Sequence, residues 1–486
     1  MKKQALLFLL IVSGFCVEAQ TAPLQTFTVE QAVEFALQNK AEAKNSLLDI
    51  QKAKARNWEI ISTGLPVVSG SADYTYYFKR PESPAIQKIF GGQTDGNIAL
   101  YSGLQKVLGS TTPDEQRLQY ILGQTVQGLQ ASKGQPIYFQ LPHNLQAGVQ
   151  VTELLFDGRY VVGLKATKDF MKLARQTKEV SDQEIRYNIR KAYYQAQAGK
   201  QAIGLLNETV QIVEKLVTDT RATYKEGLIE ELDVNRLELI LANLQSQIQT
   251  QVQLAEIAQA NLKFQMGLSV SDPIVLIDKL ETLRETLKPQ TPTFNPNQRP
   301  EYDLLQTAMR VRGHDTKQRA AGYAPTLAGF LNYGGGSQVD KFGDIFRKDA
   351  TTGKNNWFQQ GLVGLSLKVP IFDSGQRQAQ VKQGKIDELK AKNDFESFMK
   401  GLELQLMVSQ TNYNSSLQEE LNTKRTLELS KKIFSTSKIK FKEGVGSSFE
   451  LVQAEREFVS NQLKYIQSLQ SVLAAKADLD KAMGIK

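Results

Sequence analysis

The chain repeats itself at a fixed offset of 217 residues, and this duplication limits its possible folds more than any bulk property does. Tyr224-Lys225-Glu226-Gly227-Leu228 is echoed by Phe441-Lys442-Glu443-Gly444-Val445, Met266-Gly267 by Met483-Gly484, and Gly158 by Gly375. In both copies the successive glycines stand 69 and 40 residues apart. Phe156-Asp157-Gly158-Arg159 has a counterpart with one inserted residue in Phe372-Asp373-Ser374-Gly375-Gln376-Arg377, and Gly64-Leu65-Pro66 corresponds to Tyr323-Ala324-Pro325. Self-similarity at constant spacing marks a repeated architecture. A spacing held without slippage over 69 residues points to long rigid helices, because loops tolerate length changes and packed helices do not.

Each half reads as helix, strand, strand, long helix, shorter helix. The first repeat, 20–287, is predicted to hold a helix over 29–65 closed by Pro66, strands over 67–78 and 142–156, a long helix over 158–224 and a helix over 228–266. The linker 288–300 carries Pro289, Pro292 and Pro296, which cannot continue a helix. The second repeat, 301–486, repeats the plan with a helix over 301–324, strands over 326–334 and 358–372, a long helix over 375–441 and a helix over 447–483.

Period-two patterning supports the strands. Leu145, Ala147, Val149 and Val151 alternate with Asn144, Gln146, Gln150 and Thr152, and Val363, Leu365, Leu367, Val369 and Ile371 alternate with Gly364, Ser366, Lys368 and Pro370. Tyr74, Tyr76, Tyr77 and Phe78 cluster at a strand end, which suits a lipid–water interface and equally suits packing in a β-sandwich. The long helices carry a heptad seam: Ile185, Ile189, Ala192, Ala196, Gly199, Ile203, Leu206, Val210, Val213 and Val217 step by four and three. Leu237, Leu241, Leu244, Ile248, Ala255, Ala258 and Leu262 continue the rule, and a patchier seam returns from Phe395 to Tyr413 and from Val452 to Leu473. A helix from 375 to 441 would be about 100 Å long, and the two shorter helices of the first repeat, laid end to end, about 110 Å.

Export is predicted by Lys2-Lys3, the apolar run Ala5 to Val12 and the small-residue site Val17-Glu18-Ala19, so residues 1–19 read as a signal peptide. A lipid-attachment role for Cys16, the single cysteine, is disfavoured by the bulky Phe15 before it. Beyond the N-terminus no stretch is apolar enough for a transmembrane helix. Four strands cannot close a membrane barrel, for which about eight is the minimum, and open edges in lipid would strand backbone polar groups. The chain is therefore expected to oligomerise. Three copies give twelve strands and a lumen, whereas two give a barrel plugged by its own side chains.

With the duplicated halves, the Leu-Pro and Ala-Pro leads into strands, the Phe-Asp-(x)-Gly exits into long helices and the Tyr/Phe-x-x-Gly hairpin tips, the chain resembles the TolC family of Gram-negative outer-membrane efflux proteins over nearly its whole length. The resemblance implies a mixed α and β membrane protein: a homotrimer with a twelve-stranded barrel in outer-membrane lipid, continued by a long periplasmic α-helical coiled-coil barrel. It further implies a periplasmic tip at Tyr224, Gly227, Leu228, Phe441, Gly444 and Val445, on which an adaptor protein linked to an inner-membrane pump docks. Six positions past each tip glycine, where relatives ring their closed entrance with acids, stand Asp233 and Glu450. Three residues further, where relatives carry a second carboxylate, stand Arg236 and Gln453. Arg236 is expected to pair with an acidic neighbour. Outside the resemblance, Gly227 and Gly444 would serve as left-handed turn glycines in any helical hairpin, and Asp233 and Glu450 suit the start of any helix.

Residues 79–141 separate the first two strands by an unusually long loop, with Thr111-Thr112-Pro113-Asp114 able to start a helix reaching about Gln130. In a barrel this loop is expected on the extracellular side. His143 and His314 have no second ligand at metal spacing, and no phosphate loop or nucleophile motif is present, so neither cofactor nor enzyme chemistry is expected. Gly334-Gly335-Gly336 reads as a loop. The net charge of +8 is spread along the chain, which argues against nucleic-acid binding. The leading expectation is a passive exit duct for small molecules. The same duct serving type I protein secretion, or a secreted coiled-coil scaffold or adhesin, are the alternatives.

Overall fold

The computed structural model describes residues 25–80, 84–107, 113–132, 141–287, 295–348 and 353–485. The expected signal peptide at 1–19 lies outside them, as do residues 288–294 of the linker. In chain order the elements are β1 (Gln25–Phe27), α1 (Val29–Asn39), α2 (Ala41–Ser62), β2 (Val67–Tyr76), α3 (Pro84–Val107), α4 (Pro113–Ser132), β3 (His143–Asp157), α5 (Gly158–Lys225) and α6 (Glu231–Met266). They continue with β4 (Ile274–Leu276), α7 (Leu280–Glu285), α8 (Pro300–Ala321), β5 (Thr326–Val339), β6 (Trp357–Lys368), α9 (Gln376–Lys442) and α10 (Ser448–Met483). The chain forms two compact units, one of residues 61–161 and 321–374, the other of 1–60, 162–320 and 375–486.

The first of these units is built on an antiparallel sheet in the order β2-β3-β5-β6. The register puts Val68, Val151, Leu331 and Val363 side by side, so strand alternation gathers Tyr74, Leu145, Val149, Tyr333, Leu365 and Leu367 on the same face. The opposite face carries Ser71, Asp73, Gln146, Gln150, Asn332, Gln360, Ser366 and Lys368, with Val67, Leu154, Phe330, Phe358 and Leu362 as apolar exceptions. One face is mainly greasy, with Glu153 and Gln359 among its polar exceptions, and the other mainly wet. The outer edges of β2 and β6 have no strand partner among the described residues. At the foot of the sheet the Phe-Asp-Gly motif has a clear local purpose: Asp157 Oδ1 accepts from the backbone N–H of Arg159 (2.6 Å) and of Tyr160 (3.2 Å), capping α5.

Three expectations about this unit need correcting. Gly334–Gly336 is strand, not loop. β5 passes so close to β3 that a Cβ on Gly334 would lie 2.5 Å from the Ala147 carbonyl oxygen, so glycine here serves close approach within the sheet. The strand expected over 358–372 ends at Lys368, because Pro370 has no N–H to give to a ladder. The long loop holds two helices, α3 and α4, whereas only the second was expected; Pro113 opens α4 at its first turn, but α3 has no comparable start signal.

The other unit packs the helical segments and a two-stranded parallel sheet of β1 and β4. Its upper core joins Ala32, Val33 and Ala36 of α1, Ile185, Ile189 and Tyr193 of α5, Leu262 and Met266 of α6, and Ile466, Leu469 and Leu473 of α10. A second core joins Leu206, Val213 and Leu216 of α5, Leu237, Ile240 and Leu244 of α6, Phe434 of α9 and Leu451, Phe458 and Val459 of α10. Ile185, Ile189, Leu206 and Val213 of α5, Leu237, Leu244 and Leu262 of α6, and Val459, Ile466, Leu469 and Leu473 of α10 are positions of the expected heptad seam, and the rest of the core comes from residues beside it. Fully burying each leucine or isoleucine contributes about 1.5–3 kcal/mol.

The helix expected over 29–65 is broken at Lys40, which takes an extended backbone (φ −62°, ψ 137°). The Asn39 amide donates to the Phe35 carbonyl oxygen at 3.1 Å, competing with continuation of the helix, and the buried Lys40 ammonium donates to Gln265 Oε1 at 2.8 Å. β1, β4 and α7 were not expected; elements of three to six residues carry no readable periodicity. Among the described residues no helix is long and apolar enough to cross a membrane, and no group of side chains could hold a metal ion.

Candidate functional site

Two helical hairpins, α5–α6 and α9–α10, turn on the repeated Lys-Glu-Gly segments. Gly227 (φ 77°) and Gly444 (φ 74°) are both left-handed. In the first hairpin Gly227 N donates to the Tyr224 carbonyl oxygen (2.8 Å) and Leu228 N to that of Thr223 (3.2 Å). In the second, Gly444 N donates to Phe441 (3.1 Å) and Val445 N to Lys440 (3.0 Å). This paired arrangement is the Schellman motif, which satisfies the last carbonyls of each helix and needs a residue at ease with positive φ. It leaves the apolar residue after each glycine in solvent: Leu228 is 75% exposed and Val445 77%. Tyr224 is also exposed, at 39%, whereas Phe441 is partly buried against the second core.

The helices that leave the two turns start differently. Glu230 precedes α6 without a side-chain cap, whereas Ser447 Oγ caps α10 by accepting from Glu450 N at 3.2 Å. Asp233 and Arg236, one turn apart on α6, meet α10 at Ser448. Arg236 donates to Ser448 Oγ at 2.9 Å, and the Ser448 hydroxyl donates to Asp233 Oδ1. The direct Arg236–Asp233 separation is 4.0 Å, so the serine is the link between the charges. Ser448 itself is 1% exposed, which makes this hydroxyl an internal rivet between the repeats.

Glu450 and Gln453 are not part of that network; both point to solvent. The structure therefore brings together only two of the four residues singled out for the gate, and adds Ser448. The offset of 217 maps Ser448 onto Glu231, so the duplication gave no sign that the serine mattered. Beside the tip, Lys442 Nζ of α9 donates to Asp219 Oδ2 of α5 at 2.8 Å, and Arg221 pairs with Glu238. The hydrogen bond from Lys442 holds the Asp219 carboxyl below its ordinary pKa. What this arrangement can do chemically is hold helix ends together through polar links that charge or solvent can undo.

The sequence pattern of the outer membrane efflux proteins matches residues 302–485, almost the whole second repeat. The second repeat thus carries the sequence pattern of that family. The fold of the whole chain is similar to that of solved outer-membrane channels. It superposes on CusC with a TM-score of 0.68 at 14% identity, over 94% of this chain and 92% of that one. It matches the open-state outer membrane channel MtrE of Neisseria gonorrhoeae at 0.67 and 13%, over 94% and 89%. It matches the outer membrane protein VceC of Vibrio cholerae at 0.64 and 12%, over 94% and 96%. No curated protein sequence matches that of this chain. The duplicated motifs mark the same fold that these channels have.

Proposed function

We propose that this chain is the outer-membrane exit duct of a three-part efflux system, a passive channel through which an inner-membrane pump, joined by a periplasmic adaptor, discharges small molecules. The observation that carries this reading is the sheet: four strands, one apolar face, one polar face and two unpaired edges. In lipid such edges are prohibitive, and four strands are too few to close on themselves. Three copies joined β6 to β2 make a twelve-stranded barrel whose greasy face meets lipid and whose glutamine- and serine-rich face lines water.

The hairpin turns at Gly227 and Gly444 are then the periplasmic tip. Exposed Leu228 and Val445 offer the adaptor two apolar knobs per chain, with the exposed ring of Tyr224 near the first turn. Asp233, Arg236 and Ser448 hold the tip shut, while Glu450 and Gln453 supply exposed polar groups at the mouth. Adaptor docking on the knobs frees the helix ends by competing for the same helices.

The reading is tested in cells with photo-crosslinkers at Leu228 and Val445 and with the apparent mass of the outer-membrane fraction on gels before and after heating. A heat-sensitive band of three chains, and adducts to one periplasmic adaptor, are expected. A monomer that remains in the periplasm, with no adduct at either position, contradicts it.

A further inference from the structure

The face of α10 that packs into the bundle carries a polar residue every seven positions near the tip: Ser448, Glu455 and Gln462, at 1%, 3% and 7% exposure. The outer two are satisfied. Ser448 bonds Arg236 and Asp233, and Gln462 Oε1 accepts from Thr209 Oγ1 at 3.3 Å. Between them the Glu455 carboxyl lines a cavity of about 380 Å³ between α6 and α10, whose other polar lining is Asn243, Gln247, Arg456, Ser460, Lys464 and Gln467. An acid this deep in a helical seam, without a salt-bridge partner among the described residues, costs stability whenever it is charged.

The surrounding elements offer it little charge. The facing side of α6 presents Ile240, Asn243, Leu244 and Gln247, none of them titratable. On α5 the buried neighbours in this layer are Val213, Leu216 and Val217, with Glu214 and Lys215 turned to solvent and Asp219 tied to Lys442. On α9 Ser430 and Phe434 are buried while Lys431 and Lys432 are exposed. Only Arg456 and Lys464, both from α10 itself, bring charge to the cavity.

We infer that Glu455 and its cavity are a proton-binding site that sets how tightly α6 and α10 close behind the tip. Protonated, the carboxyl is a neutral hydrogen-bonding group that the seam accommodates; ionised, it draws water into the cavity and loosens the seam one heptad from the Ser448 rivet. The inference rests on the tip being a gate, as proposed above. Burial pushes the Glu455 pKa up to about 7, with Arg456 opposing the shift. The sign follows from that direction. The closed seam binds the proton more tightly than the released one, so closure is favoured below pH 7 and weakens as pH rises through it.

Single-channel recordings of the wild-type protein and of Glu455→Gln between pH 6 and pH 8 test this. The wild type is expected to gain about tenfold in open probability over that range, while the permanently neutral variant stays closed and flat with pH. A pH response unchanged in E455Q, or none in the wild type, overturns the inference. Hydrogen–deuterium exchange over residues 448–462, corrected for intrinsic rates, reads the same site without a channel. Exchange should quicken from pH 6 to pH 8 in the wild type and not in E455Q, and equal behaviour of the two proteins overturns the site. Absence of any conductance, with the exchange difference present, would count against the duct reading and leave the proton site standing.

Discussion

Arg236 of the first repeat reaches Ser448 of the second at 2.9 Å, although the offset that relates the repeats does not relate these two residues. The proposed gate is thus built on a break in the chain's own symmetry: one repeat supplies the charges and the other a buried hydroxyl. Arg236→Ala and Ser448→Ala should each release the α6–α10 start. Because Arg236 is half-exposed, the loss is about 1 kcal/mol, enough for roughly a fivefold rise in the open fraction. Conductance of reconstituted channels measures it, and the double variant should add little to either single one, since both remove the same link.

The turn glycines make a second prediction. A Cβ at Gly227 or Gly444 meets nothing within 4 Å, so the cost of Gly227→Ala or Gly444→Ala comes from the left-handed backbone alone, about 1–2 kcal/mol each. Thermal unfolding followed by the helical signal should fall modestly for both variants and by similar amounts. A Cβ at Gly484, which has the same handedness, would stand 2.4 Å from the Gln298 carbonyl oxygen, so Gly484→Ala should be clearly worse than either.

Asp278 joins three segments of the helical unit. Its Oδ2 accepts from Val29 N at 2.7 Å, at the start of α1, and from the buried Tyr193 hydroxyl at 3.1 Å, while Tyr193 also donates to the Phe27 carbonyl oxygen. Asp278→Ala is expected to cost about 1–3 kcal/mol, mainly by leaving the Val29 N–H without its acceptor, since the Tyr193 hydroxyl keeps the Phe27 carbonyl. The measurement is denaturant unfolding in detergent. A change near zero would show that α1 is held by its Thr28–Gln31 capping box alone.

The two faces of the sheet should answer differently to the same charge. Leu365→Arg places a guanidinium on the apolar face, at an expected cost of about 2–4 kcal/mol in lipid, and should abolish the heat-sensitive oligomer. Ser366→Arg, one residue along the same strand, points to the polar face and should assemble normally while shifting the ion preference of the channel toward anions. Equal tolerance of both would refute the assignment of faces.

Much of this architecture was legible because helices of 67 and 68 residues and strands of 10 to 15 advertise themselves through period. The seam from Ile185 to Val217 runs along the buried side of α5, and the alternation around Val149 and Leu365 sorts the faces of the sheet. What stayed hidden was short or tertiary. The break at Lys40 depends on Gln265, 225 positions away, and the strand through Gly334 depends on how closely β3 approaches. At the tip the positive-φ glycines announced themselves by composition, but the Ser448 bridge did not. A serine beside an N-cap serine looks like one more helix start until the opposing arginine is in place.

The most direct test of the account is a planar-bilayer recording of the purified, refolded protein. Three copies joined through their sheet edges should insert as one unit and pass discrete, reproducible current steps, larger when Arg236 is replaced by alanine. Stable, correctly folded oligomers that never conduct in either form would contradict the claim that this chain is a duct.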